Sequence, residues 1–244
     1  MDTSLTALWV YLAETPLLWL TITLVTYYLA DQLQQRVPWI PLFNPVLLSI
    51  IFLVLLLWAT NTPYSTYFDG AQFVHFLLGP ATVALALPLY TYQATLRRML
   101  LSLIGALGAG SLTGIASAVL IGQWLGLSEI TVRSLAPKSI TTPIAMGVSE
   151  QVGGLPSLTA VIVILTGILG ATLAREVFAV MRVRDSGICG FALGISAHGI
   201  GTARALQMNA EAGAFSGLAM GLNGVITAIL VPLVLPVLIE AFAR

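Results

Sequence analysis

Apolar residues run along this chain in long unbroken blocks, and polar positions collect in the gaps between them. A helix that crosses a bilayer needs about 20 mostly apolar residues. On that length the pattern predicts spans at roughly 16–35, 44–60, 73–92, 99–123, 157–180, 186–208 and 214–240, and leaves 128–151 as an interrupted segment. The expected fold is an all-α polytopic membrane protein of about seven to eight transmembrane helices, forming a single integral membrane domain over 1–244. The blocks differ in texture. Leu47–Trp58 is uniformly apolar and suits a lipid-facing surface, whereas 105–118 and 213–228 are rich in Gly, Ala and Ser. Small residues let helix backbones approach closely, so these two are expected inside the bundle.

Two polar islands break the pattern, and each carries a cation. The first is Pro137-Lys138-Ser139-Ile140-Thr141-Thr142-Pro143. Both prolines lack an amide proton and disfavour helix just before them, which predicts two half-helices around an unwound stretch. Pro143 is expected at the first position of the second half-helix, with Thr142 as its N-cap. Ser139, Thr141 and Thr142 then offer hydroxyls to freed backbone groups or to a ligand. A half-helix N-terminus carries partial positive charge and free amides, which suit a carboxylate or phosphate. Lys138, the chain's sole lysine, adds a full charge there. The alternative is that Lys138 snorkels to the headgroups and the hydroxyls only cap.

The second island, 196–205, follows Gly194 and contains Gly199 and Gly201, which weaken a helix interior. Thr202 is expected to cap a new turn, with Arg204 presenting its planar fork to a carboxylate. Arg204 has the alternative of pairing with Glu150. His198 is either a proton relay or a hydrogen-bonded packing residue. A third break, Gly79-Pro80-Ala81-Thr82, follows His75. Its freed carbonyl either coordinates a coupling cation or marks a simple kink. Glu150 is either solvated or the titrating coupling group, and Asn44 and Asn223 are expected to hydrogen-bond between helices.

A cation in hydrocarbon is costly and tends to mark a substrate or ion path. The expected anion site therefore comprises Lys138, Ser139, Thr141, Thr142, Gly201, Thr202 and Arg204. Asn44, Gly79, Pro80, Thr82, Glu150 and His198 are the ion-coupling or gating candidates.

Composition narrows the class. Hydrophobic residues make up 58% of the chain and charged residues 8%, whereas about a quarter of a soluble domain is charged, so a water-facing surface could not be covered. Zero net charge argues against a nucleic-acid partner. The single cysteine, Cys189, excludes an internal disulfide, and no metal-ligand spacing is present. No nucleophile–base set, P-loop or dinucleotide fingerprint appears, so neither an enzyme nor a cofactor is expected. Met1–Asp2 is acidic and no small-residue cleavage site follows the first apolar run, so no cleavable signal is expected.

Arg36, Arg97, Arg98, Arg175, Arg182, Arg184 and Arg244 fall at or just past the C-terminal ends of alternate spans. The positive-inside rule then predicts the N-terminus outside and the C-terminus in the cytoplasm. That requires 128–151 to leave and return on one side as a re-entrant hairpin, tolerable only with protein or a water cavity around it. A weak similarity between 44–123 and 156–240, with opposite predicted topology, suggests the inverted repeats of secondary transporters.

Asn44-Pro45, FLLGPATVALALPLY (76–90), PKSITTPIAMGVSEQVGG (137–154), LTGILGA (165–171) and GIGTARA (199–205) together resemble the LrgB/CidB family over about 16–242. That family includes bacterial antiholin-like regulators of murein hydrolase activity. It also includes the plastidial glycolate/glycerate translocator of plants, whose C-terminal half is this domain. The resemblance implies transport of small monocarboxylates such as glycolate, glycerate, pyruvate or lactate, by alternating access and with proton or cation coupling. The other function it implies is control of murein hydrolase export and autolysis. It further implies the bacterial plasma (inner) membrane, a lipid bilayer around the chain and a separate LrgA-type membrane partner; a homodimer is compatible with it.

Overall fold

The structure is a computed structural model that describes residues 15–36, 45–77, 80, 83–84 and 86–242. It divides into two compact units, 1–84 and 85–244. The first contains α1 (Pro16–Arg36), α2 (Pro45–Thr60) and α3 (Tyr64–Phe76). Trp19 is fully buried and meets Tyr67 edge-on, with ring centres 5.9 Å apart. A Cβ on Gly70 would sit 2.2 Å from the Pro16 carbonyl oxygen, so only glycine allows α1 and α3 to approach this closely. The expected spans at 16–35 and 44–60 are present as α1 and α2. The expected span at 73–92 is not one helix. α3 ends at Phe76, and α4 (Ala86–Thr91) and α5 (Gln93–Arg98) are short. An apolar run alone does not register such interruptions. Most of α3 fills the gap between the expected spans at 44–60 and 73–92, and Tyr64 stacks on Phe68 within it, ring centres 5.8 Å apart.

The second unit continues with α6 (Leu100–Trp124), α7 (Glu129–Leu135), α8 (Thr142–Gln151), α9 (Pro156–Val180), α10 (Ser186–Met208) and α11 (Ala210–Phe242). Among the described residues α6, α9 and α11 are long and apolar enough to cross a membrane. α2 is a shorter apolar helix of 16 residues.

The interrupted segment is a hairpin. At about 10 and 15 Å long, α7 and α8 are each too short to cross. Hydrogen bonds tie its base, among them Arg133 Nη1 donating to the Val152 carbonyl at 2.6 Å, the Leu155 amide to Ser134 Oγ at 2.8 Å, and Thr159 Oγ1 to Ser149 Oγ at 2.7 Å. From there α7 runs back along α6. Val132 and Leu135 face Gly122, whereas Ser139 at the tip faces Gly114, nearer the middle of α6. The interrupted segment therefore doubles back, with its turn at 136–141.

The stretch 186–208 departs from expectation: α10 is broken at His198 (φ 40°, ψ −132°) and folds back on itself. On a straight helix residues 193 and 201 would lie about 12 Å apart, yet a Cβ on Gly201 would sit 2.6 Å from the Leu193 carbonyl oxygen. Asn209 Nδ2 donates to Ser186 Oγ at 2.9 Å, closing the two ends together. α11 confirms the reversal. It runs parallel to the first leg, with Gly190 against Ala212 and Gly194 against Ser216, and antiparallel to the second, with Thr202 against Ser216 and Leu206 against Gly213. So 186–208 is a second hairpin and not a crossing helix.

α9 begins at the base of the first hairpin, where Thr159 bonds Ser134 and Ser149. Its Ala174 packs with Leu193 and Ala205 of the second. The two hairpins thus enter the unit from opposite ends, each followed by a long helix.

Candidate functional site

The hairpin breaks free two backbone carbonyls that an unbroken helix would use, and both point at one side chain. Asn223, near the middle of α11 and fully buried, donates through Nδ2 to the Ile195 carbonyl at 2.9 Å and the Ser139 carbonyl at 3.3 Å. Its Oδ1 accepts from Ser111 Oγ at 2.6 Å and Thr227 Oγ1 at 3.1 Å. Two donors and two acceptor sites are the full capacity of the amide. Ser111 Oγ also lies 2.7 Å from the Leu107 carbonyl, but it has one proton to give. An amide turned the other way would aim Oδ1 at two carbonyls, so that proton goes to Asn223. One residue thereby joins α6, the tip of the first hairpin and the first leg of the second. The sequence expectation of interhelical bonding at Asn223 is met.

Beside this junction lies a cavity of about 720 Å³ bounded by α6, the first hairpin tip, the first leg of α10 and Phe215. Its walls are mainly apolar, with Leu103, Phe191 and Ile195 prominent, and Lys138 is its charged lining residue. The Lys138 ammonium is half-buried and donates to Ser139 Oγ at 3.2 Å. Among the described residues it has no carboxylate partner. A mainly apolar pocket with a few converging polar groups is the usual form of a small-molecule site. In such surroundings a single cation attracts an anion more strongly than it would in water.

Ser102, Thr113 and Ser196 also line the cavity, and none was singled out by sequence. Ser102, Ala106, Ala109 and Thr113 recur at helical spacing along one face of α6, a signal that could have found them. The N-cap of α8 is Thr141 and not Thr142, which moves Pro143 to the second helical position, and no side-chain cap bond forms.

The second island is packed rather than open. Gly201 lies against the Leu193 carbonyl. Thr202 bonds back to the His198 carbonyl at 2.9 Å and to Ser216 Oγ at 3.0 Å, so it does not cap a new turn. The break instead falls four residues earlier. His198 is buried, with Nε2 3.0 Å from the Val163 carbonyl and its ring over Gly167, the geometry of a hydrogen-bonded packing residue.

Arg204 does not meet Lys138. It lines a separate cavity of about 500 Å³ with Arg175, Arg182 and Arg184, and donates to Gln207 Oε1 at 3.2 Å. Glu150 is exposed at the end of α8 and makes no ion pair with Arg204. Pro80 is exposed, while Asn44, Gly79 and Thr82 lie outside the described residues.

The profile of the LrgB-like family matches residues 23–237. The chain belongs to the LrgB-like family. Relatives in this family include the uncharacterized protein YwbG of Bacillus subtilis strain 168, 39% identical over 88% of this chain and 96% of its own length. YxaC of the same organism, also named uncharacterized, is 33% identical over 87% of this chain and 92% of its own. The holin-like protein CidB of Staphylococcus aureus strain Mu50 is 31% identical over 90% and 95%. No solved structure matches. With three helices long and apolar enough to cross, this LrgB-like chain is an integral membrane protein. Its family match runs through both hairpins and the helices between them.

Proposed function

We propose that the second unit binds a small monocarboxylate in the cavity at Lys138 and carries it across the membrane by alternating access, coupled to protons or another cation. The observation that supports this is the meeting of two opposed hairpins on Asn223, beside a cavity with Lys138 as its cation. Broken helices that converge near the midplane are where secondary carriers hold substrate. In this reading Lys138 neutralises the carboxylate and Ser139 hydrogen-bonds it, while Ser196 and Thr113, which also line the cavity, offer hydroxyls to a 2-hydroxyl or 2-oxo group. Glycolate and glycerate are the first candidates, with pyruvate and lactate next. An LrgA-type membrane partner belongs to the same reading.

A second reading has specific support. CidB of Staphylococcus aureus is named holin-like, and none of the relatives cited above is named a carrier. On that ground the chain regulates murein hydrolase export and autolysis as an antiholin-like protein. The names bear on the biological role, where they favour this second reading; the cavity bears on the molecular act.

For the orientation, the same proposal applies the positive-inside rule to the fold. Leu96 and Leu103 pack with Phe191 and Phe215, so Arg97 and Arg98 share an end of the unit with the base of the second hairpin, near Arg182 and Arg184. α11 runs from that end to the level where Gln123 Nε2 donates to the Ile239 carbonyl. A cytoplasmic basic end then sends α11 outward. The expectation from sequence was a cytoplasmic C-terminus, with 186–208 counted as a crossing; the orientation proposed here differs because that stretch doubles back.

Proteoliposomes loaded with labelled glycolate or glycerate separate the two functions, using this chain alone and with an LrgA-type partner. Saturable exchange that is lost in Lys138→Gln, with unchanged melting, supports the carrier. If neither preparation moves either acid and Lys138→Gln matches wild type throughout, the carrier reading fails and the holin-like role stands.

A further inference from the structure

The second cavity points to a different ligand from the first. At the C-terminal end of α9, Arg175, Arg182, Arg184 and Arg204 line a groove of about 500 Å³. They come from three places in the chain: the last turns of α9, the connection to α10 and the second leg of the second hairpin. Phe178 and Met208 give the groove an apolar side. Among the described residues Arg182, Arg184 and Arg204 make no ion pair with a carboxylate. The nearest acid in sequence, Asp185, is engaged as the N-cap of α10, accepting from the Ile188 amide at 2.9 Å. Glu176 is exposed on α9.

The bias that gathers arginine at one membrane face would by itself place basic residues here. It does not account for the backbone at Arg182. That residue has φ +58° and closes α9, its amide donating to the Ala179 carbonyl at 3.2 Å and the Val183 amide to the Phe178 carbonyl at 3.0 Å. A left-handed residue after a helix is usually glycine. The chain uses glycine after α6 and α8, with Gly126 at φ +70° and Gly153 at φ +78°. After α2 it uses Asn61 at φ +51°, a residue type that tolerates this region, but after α9 it holds an arginine there, and that arginine lines the groove. Strain retained at one position is a pointer to function.

We infer that this groove binds a phosphate-type oxyanion, clamped between Arg182 and Arg184 on one side and Arg204 of the second hairpin on the other. Forked guanidinium groups suit phosphate oxygens bidentately. The site lies at the end of a 25-residue apolar helix, the level at which lipid headgroups sit. The phosphate therefore comes either from an anionic lipid or from a soluble phosphate. The inference stands apart from the carrier reading, because it uses neither Lys138 nor the larger cavity.

The test is the melting temperature of the purified full-length protein, for wild type, Arg182→Gly and Arg204→Gln. One arm titrates pyrophosphate in detergent against potassium chloride of equal ionic strength. The other compares nanodiscs of phosphatidylglycerol with nanodiscs of phosphatidylcholine. A saturable rise is expected in at least one arm, because ligand that binds the folded state stabilises it. A response to phosphatidylglycerol alone identifies a lipid headgroup, and a response to pyrophosphate without lipid identifies a soluble phosphate. Each variant should weaken the response about tenfold, in line with loss of a charged hydrogen bond. Ligand-free Arg182→Gly should melt at or above wild type, since glycine relieves the left-handed strain. The inference is overturned if neither ligand outdoes its control, if both variants respond as wild type does, or if ligand-free Arg182→Gly melts lower.

Discussion

Replacing Asn223 by leucine removes a side chain that hydrogen-bonds both hairpins, at little change in volume. The Ile195 and Ser139 carbonyls then lose the partner they bond at 2.9 and 3.3 Å. Ile195 would normally bond the amide four residues on, but the break at His198 interrupts that ladder. A buried acceptor left unsatisfied costs about 1–3 kcal/mol, which gives about 2–6 kcal/mol for the pair. Ser111 keeps a fallback at the Leu107 carbonyl, 2.7 Å away. Polar contacts in membrane proteins average only ~0.6 kcal/mol in mutant cycles, and leucine regains some apolar packing, so about 2–4 kcal/mol is the expected loss. Reversible unfolding in mixed micelles measures it. Ser111→Ala alone should cost about 0.5–1 kcal/mol. In the Asn223→Leu background it should cost almost nothing, because the bond is already gone; the difference is the coupling energy. A loss under about 0.5 kcal/mol for Asn223→Leu, or full additivity of the two changes, would sink the idea that Asn223 stitches the hairpins.

Gly167→Ala should destabilise by about 1–3 kcal/mol through overpacking, since its Cβ would meet the His198 ring at 2.7 Å; Gly147→Ala, with open space around it, is the control, and thermal melting reads both. Thr159→Val should cost about 1–2 kcal/mol by cutting the bonds to the Ser134 carbonyl and Ser149 Oγ at the base of the first hairpin, and faster amide exchange over 149–155 would locate the effect. Lys138→Arg should keep more carboxylate binding than Lys138→Gln, because charge is kept while the hydrogen-bonding shape changes; equal binding by both in isothermal titration would count against a role for the charge.

Much of the first hairpin was legible in the chain because its breakers are local. Pro137 and Pro143 remove amide donors at fixed places, and any fold must turn the backbone near them. The length of apolar runs likewise determined the membrane class and the extents of α1, α2, α6, α9 and α11. The second hairpin has no proline, and its apolar pattern is the same whether the two legs run on in line or double back. Only weak glycine signals marked it. The reversal falls on His198, a residue that pays for φ +40° through long-range partners: the Val163 carbonyl, the space over Gly167, and the closing bond from Asn209 to Ser186. Those partners exist only once α9 and α11 are packed alongside. The same holds for the two cations. The sequence by itself determined that Lys138 and Arg204 sit at breaks in apolar helices, because burial cost and breaker residues are local properties. Only the tertiary structure decided that they serve different cavities, because reversing one helix carries Arg204 away from the midplane and back toward the end where α9 stops.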